Sequence, residues 1–351
     1  MGPLGRALNW AAVIGACLHF VGPSERRRRG GTVDHGSSRP PGPPPGPLCR
    51  QECAEPHASQ PVSQHVSQHV SAMKYALSLG VLNPSAWVAV TEEADRLGFD
   101  SVWLPEHLVL PVEMGGSPHS GQDHPPIPAD IPVFDPLVYL AFLAARTLRI
   151  RFGTQVYNIG LRHPFSTARA AATLDVVSGG RLDFGIGASW LQAEWRSLGL
   201  DFDSRGARVD EAIEVCRRLW DEDVIEHHGR FFDFDPVMFE PKPVQRPGPP
   251  LHIGGDGPAA LRRAATVGDG WIPMNHKVDE LPEKVALLAE LRERAGRPGR
   301  TEVTMSAPST DAAGIERCAK AGVDRVIVRP WQRTSDALES IGRFADEFIQ
   351  P

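Results

Sequence analysis

Residues 97–107 read Leu97-Gly98-Phe99-Asp100-Ser101-Val102-Trp103-Leu104-Pro105-Glu106-His107. Three signals sit in this one stretch. The glycine closes a helix that Pro84 opens and that carries Trp87, Val90, Ala94 and Leu97 on one face. A short β-like run follows at 101–104. Two titratable residues, Glu106 and His107, stand directly at its C-terminal end.

Working outward, the same unit recurs. The β-like runs are 75–79, 101–104, 150–156, 182–186, 251–253, 271–273, 302–306 and 325–329, each followed by a helical pattern. The helix after the fourth run places Val209, Ile213, Cys216 and Trp220 at helical spacing, and the last places Ala337, Ile341, Phe344 and Phe348. Eight β-then-α units in this length predict a closed parallel (β/α)8 TIM barrel, the α/β class. An open doubly wound sheet is the other arrangement, and it usually needs fewer units. Two insertions break the rhythm: a Pro/Gly/His-rich segment at 109–134, and 229–250, with a short hairpin expected around 231–239. Long loops after barrel strands tend to cover active sites.

The body, residues 73–351, contrasts with the 72 residues before it. Those carry seven arginines against four acids, although the whole chain of 351 residues has a net charge of −6. The body is therefore acidic, which argues against a nucleic-acid partner. The apolar run 10–21 is too short for a bilayer, which needs about 20 residues. Its arginines follow it, the wrong order for secretion. Residues 40–47 are almost all Pro and Gly, and Ser-Gln-His-Val repeats at 63–66 and 67–70. That composition predicts a disordered tail. Ordered sequence begins at Met73, the start expected for the native chain. Only Cys216 and Cys318 belong to the body, which fits a reducing, cytoplasmic setting with no disulfide framework. No membrane is expected for the barrel.

In a barrel the chemistry gathers at the C-terminal strand ends. Histidine is the side chain best suited to proton transfer under physiological conditions, which makes His107 the candidate proton carrier, with Glu106 beside it. Thr154, Gln155 and Asn158 close the third run as hydrogen-bonding groups. Gly185 and Gly187 alternate on one face of the fourth, leaving room for a ring or chain. The fifth run ends Gly254-Gly255-Asp256-Gly257-Pro258 and opens a helix, whose free N–H groups and dipole favour phosphate. Asp256 suits an anion poorly unless it caps that helix. Neither a P-loop nor a dinucleotide fingerprint is present. His107, His119, Asp123 and His124 are too irregularly spaced for a metal site; His65 and His69 sit four apart, but no Cys or carboxylate lies near them, and no metal is expected. No Gly-x-Ser-x-Gly elbow supports serine hydrolysis.

Taken together, these stations resemble the luciferase-like monooxygenase superfamily, and within it the deazaflavin (coenzyme F420) branch. The likeness rests on 97–103 with Glu106-His107, and on Arg162-His163-Pro164 through Ser178-Gly179-Gly180-Arg181-Leu182. It continues through Gly185-Ile186-Gly187-Ala188 with Trp190 and Glu194, Ile253-Gly254-Gly255 with Gly268-Asp269-Gly270-Trp271, and 321–326. The resemblance implies a flat ring in the barrel mouth and a non-proline cis bond at Gln155–Val156 behind it. It also implies a cofactor phosphate near Gly254, Gly255, Ala188 and Ser189, so that a side chain at Gly254 would crowd the phosphate. Thr154, Gln155, Val156 and Gly187 complete the implied cofactor set.

Some relatives place an acid directly after the glycines of the fourth strand. Here Trp190 stands there and Glu194 follows a turn later, so Glu106 and Glu194 both remain candidates to work with His107.

The implied activity is hydride transfer between coenzyme F420 and a small organic substrate, with 109–134 as lid. FMN with molecular oxygen, giving monooxygenation, is the alternative within the class. A non-redox barrel holding a phosphorylated ligand is the alternative outside it, and no strand end carries the lysine that Schiff-base chemistry would need. A homodimer is a candidate assembly.

Overall fold

The computed structural model describes residues 73–113 and 130–350. The expectations for the tail, for His119, Asp123 and His124, and for most of the lid fall outside these residues. Eight strands form the barrel: β1 (Lys74–Ser78), β2 (Ser101–Leu104), β3 (Arg151–Thr154), β5 (Leu182–Gly187), β8 (Leu251–Gly254), β9 (Gly270–Ile272), β10 (Glu302–Ser306) and β11 (Arg325–Val328). Each pairs in parallel with the next, and β1 also pairs with β11, which closes the ring.

The third run is not continuous. It breaks after Thr154 at a cis Gln155–Val156 bond and resumes as β4 (Tyr157–Asn158), which pairs with β5. The hairpin also differs from expectation. Its arms are β6 (Val224–His228) and β7 (Asp233–Met238), so the first arm precedes Gly229 instead of following it. Glu211 explains the placement of the turn. Its carboxylate accepts the N–H groups of Arg230, Phe231 and Phe232 and the His227 ring, which pins residues 229–232 as the bend.

Outside the strands lie α1 (Trp87–Leu97), α2 (Pro136–Ala144), α3 (Pro164–Ser178), α4 (Gln192–Ser197), α5 (Arg205–Asp221), α6 (Pro258–Thr266), α7 (Leu281–Arg294), α8 (Ala312–Lys320) and α9 (Ala337–Phe348). Gly98 adopts the left-handed conformation that ends α1, with its N–H bonded to the Ala94 carbonyl. Cys216 and Cys318 are free and buried on α5 and α8.

The barrel interior is plugged from below by charge. Arg325, 1% exposed, meets Asp100 at 2.7 Å, Asp183 at 3.0 Å and Glu302 at 2.7 Å. Arg151 also holds Asp183 (2.6 Å), and Lys74 holds Glu302 (2.6 Å). Three carboxylates thus meet three cations, and the buried cluster is neutral. Above it, the face of the Trp103 ring meets the Arg325 guanidinium (5.3 Å), and the ring packs with Ala76, Ile272 and Ile327. Gly153 has to be glycine, because a Cβ there would run into the Trp103 ring. The interior is filled up to this layer, so any ligand has to sit above it, at the C-terminal opening.

Candidate active site

The floor of the opening is Val156. Its side chain packs on the Trp103 layer and is flanked by two glycines. A Cβ on Gly187 would stand 2.6 Å from Val156 Cγ2, and one on Gly254 would stand 2.6 Å from Cγ1. Gly185 serves another purpose. A Cβ there would strike the Thr154 carbonyl oxygen, so this glycine permits close strand approach and leaves no room for a ring. Thr154 is fully buried, and its hydroxyl donates to the Gly185 carbonyl at 2.6 Å. It therefore ties β3 to β5 and does not line the mouth. Gln155 reaches across the opening, its Nε2 lying 3.4 Å from Ser306 Oγ on the opposite strand β10.

The rim on the β2 side carries the titratable group. His107 Nδ1 lies 3.3 Å from Glu194 Oε2. The other Glu194 oxygen accepts the N–H groups of Leu108 (2.6 Å) and Val109 (3.2 Å). Glu194 is wholly buried, so this one carboxylate fixes both the imidazole and the first residues of the long insertion. A carboxylate on Nδ1 selects the tautomer with its proton on Nδ1 and leaves Nε2 to exchange a proton. The Trp190 ring meets the imidazole edge-to-face at 5.8 Å. Ser189 precedes it with φ 61°, the only positive φ among the described non-glycine residues. Its hydroxyl accepts the Leu191 N–H (3.2 Å) and lies 3.4 Å from Glu194. The acid absent directly after the β5 glycines is thus supplied one turn later, from α4.

Glu106 is placed differently from its neighbour. Its side chain is wholly buried and paired with Arg162 at 2.5 Å, and it accepts the Asn158 N–H at 2.6 Å. Burial pushes its carboxyl above the ordinary carboxylate range, against the pull of Arg162 and the Asn158 N–H. Arg162 in turn lies over the Tyr157 ring at 4.5 Å. This pair braces β4 behind the mouth. The Arg162 role was not legible beforehand, because no local pattern joins two residues on separate strand ends.

On the β8 side, Gly255 has φ 121°, and its N–H is already bonded to the Ile272 carbonyl at 3.2 Å. Gly257 caps α6 without any side-chain acceptor. Asp256 does not cap its own helix. It accepts the N–H of Met274 (2.9 Å) and the side-chain amide of Asn275 (2.8 Å), which turns its charge away from the helix end. Among the described residues no group of three or more His, Cys, Asp or Glu is arranged to hold a metal.

A closed parallel barrel with its buried-acid–histidine pair at the C-terminal opening is the architecture of a barrel enzyme. The chain belongs to the luciferase-like monooxygenase family, whose family model matches residues 62–321. An uncharacterised protein of Mycobacterium tuberculosis (strain H37Rv) is 31% identical over 258 residues, 73% of this chain and 88% of that one. An F420-dependent glucose-6-phosphate dehydrogenase of Microbacterium testaceum is 33% identical over 213 residues, 59% of this chain and 57% of that one. Among solved structures, the monooxygenase RslO1 of Streptomyces bottropensis matches with a TM-score of 0.64 and 24% identity, over 80% of this chain and 99% of that one. No helix of the described residues is long and apolar enough to cross a membrane.

Proposed function

We propose that this chain is an oxidoreductase that moves a hydride between coenzyme F420 and a small organic substrate. The observation that carries the reading is the Val156 floor between Gly187 and Gly254, which forms a smooth apolar seat above the Trp103 plug. A flat ring system fits such a seat, and the F420 dependence of the Microbacterium relative supports F420 as the ring. Bound there, the deazaflavin supplies the carbon that gives or takes the hydride.

The chain's own residues do the rest. His107 Nε2 holds or delivers the proton that accompanies the hydride, and Glu194 keeps the imidazole turned and in one tautomer. Gln155 and Ser306 offer hydrogen bonds across the opening. The uncapped start of α6, with Gly254 and Gly255 before it, and the turn at Ala188 and Ser189 receive the phosphate. Glu106 supports the site from behind through Arg162 and exchanges no proton with substrate. Residues 73–351 form the catalytic body. A cytoplasmic setting agrees with Cys216 and Cys318, both free thiols buried on α5 and α8.

The test is a fluorescence titration of the purified full-length chain with F420 and with FMN. Saturable binding of F420, with FMN at least tenfold weaker, is the expected result. The reverse order assigns the barrel to flavin monooxygenation. Saturation by neither ligand overturns the redox reading.

A further inference from the structure

We propose that the underside of the barrel carries a second, non-catalytic site, formed by Arg217 and Arg297 around Asp269 with the Arg292 charge behind them, that binds a phosphate-sized oxyanion. It lies at the N-terminal strand ends, since Asp269 directly precedes β9 and residues 247–250 directly precede β8. It is therefore on the face opposite His107.

The first observation is a charge surplus. Asp269 meets Arg297 at 3.0 Å and Arg217 at 3.4 Å. Arg292, only 7% exposed, forms an ion pair with no carboxylate among the described residues. It donates instead to the carbonyls of Gly268 (3.0 Å) and Pro298 (3.3 Å). Three guanidinium groups thus share one carboxylate, whereas the Arg325 cluster inside the barrel balances three with three. Burial pushes both Arg217 and Arg292 below the ordinary arginine range, and the Arg297 charge adds to that in each.

The second observation is a cleft of about 140 Å³ at the same place. Arg217, Asp269 and Arg297 line it, with Trp220 and the 247–249 turn as apolar walls. That is ample room for a five-atom oxyanion.

A purely structural role for the arginines accounts for only part of this. Arg217 and Arg297 do tie off the C-terminus of α6, through the carbonyls of Val267 and Gly268. Carbonyls cap N–H groups but cancel no net charge. Among the described residues all the Arg217 bonds run through Nη2, so Nε and Nη1 remain for a ligand, as does Nε of Arg297. An oxyanion in the cleft accepts these donors and offsets the surplus.

The probe is inorganic phosphate, added to the full-length protein in a phosphate-free buffer, with sodium chloride at matched ionic strength as control. The melting temperature should rise saturably with phosphate beyond the chloride control. Hydrogen exchange on the wild-type chain should show phosphate-dependent protection at residues 246–251 and 267–270. R217Q and R297Q should each weaken the response by about tenfold or more, while turnover stays unchanged. Sulfate should compete. Protection confined to residues 188–190 and 254–260 would place the anion at the mouth and overturn the proposal, whether or not the variants fold. So would isotherms identical in wild type and variants, or a phosphate response no larger than that to chloride.

Discussion

Replacing Gly254 with alanine tests the seat beneath the ring directly. The new methyl would lie 2.6 Å from Val156 Cγ1 and 3.3 Å from Cγ2. Carbon atoms in contact prefer about 3.5–4.0 Å, so the side chains must part by about 1 Å. Downward, Val156 has no retreat, since Trp103, Ile272 and Ile327 fill the layer below. Sideways, its other methyl faces Gly187 across a gap smaller than a methyl, where a Cβ would stand 2.6 Å away. The open direction is up, into the mouth. Overpacking of this kind costs about 1–3 kcal/mol. Borne by the bound state, that lowers ring affinity by about tenfold to a hundredfold.

The assay is a double-variant cycle with Val156→Ala, read by cofactor titration and by urea unfolding. With Val156 cut back, the nearest remaining atom is its Cβ at 3.4 Å, close to an ordinary contact. Gly254→Ala should then cost almost nothing, and the coupling should equal most of the single-variant loss. If Gly254→Ala costs the same in both backgrounds, Val156 is not the atom it meets and the seat is described wrongly.

His107→Ala should lower turnover by about a hundredfold or more while leaving cofactor affinity nearly intact, and unchanged turnover would remove His107 from the reaction. Glu194→Gln keeps an acceptor for the Leu108 N–H but loses the charge on His107 Nδ1. Turnover should fall by about tenfold or more, with faster hydrogen exchange at 107–109; full activity would show that the imidazole needs no carboxylate. Glu106→Ala removes the buried partner of Arg162, leaves it only the longer 3.8 Å contact with Asp135, and should destabilise the fold by up to about 3–5 kcal/mol in chemical denaturation, an effect that a mutation of an exposed pair would not produce. Burial alone would raise the Asp183 carboxyl, but Arg325 and Arg151 outweigh it and hold it well below the ordinary range. A depressed folded value means that the unfolded state takes up the proton first. The stability from Asp183 is then complete above its ordinary value of about pH 4 and declines as pH falls below it. Asp183→Asn should flatten the loss of unfolding free energy in that acid range, and an unchanged slope would contradict the assignment.

Much of the architecture was legible in the chain. Helical and strand periods alternate eight times, and local signals such as Pro84 and Gly98 mark ends that depend only on backbone chemistry. The positions of His107, Gln155 and the glycines at the strand ends followed from that count, because in a barrel every strand end faces the same opening. What remained illegible were relations between residues far apart in sequence. Which of two acids comes to lie against His107 depends on the placement of α4, and it is Glu194, 87 residues away. Gly185 and Gly187 look alike as sequence, yet one meets a backbone carbonyl and the other a valine methyl. The hairpin moved because Glu211, on α5, captures three N–H groups of its bend.

Local chemistry specifies elements, since it acts through neighbours along the chain. Which side chain fills a given space, and which charge answers another, is decided only when the closed ring brings distant strands within a few ångströms.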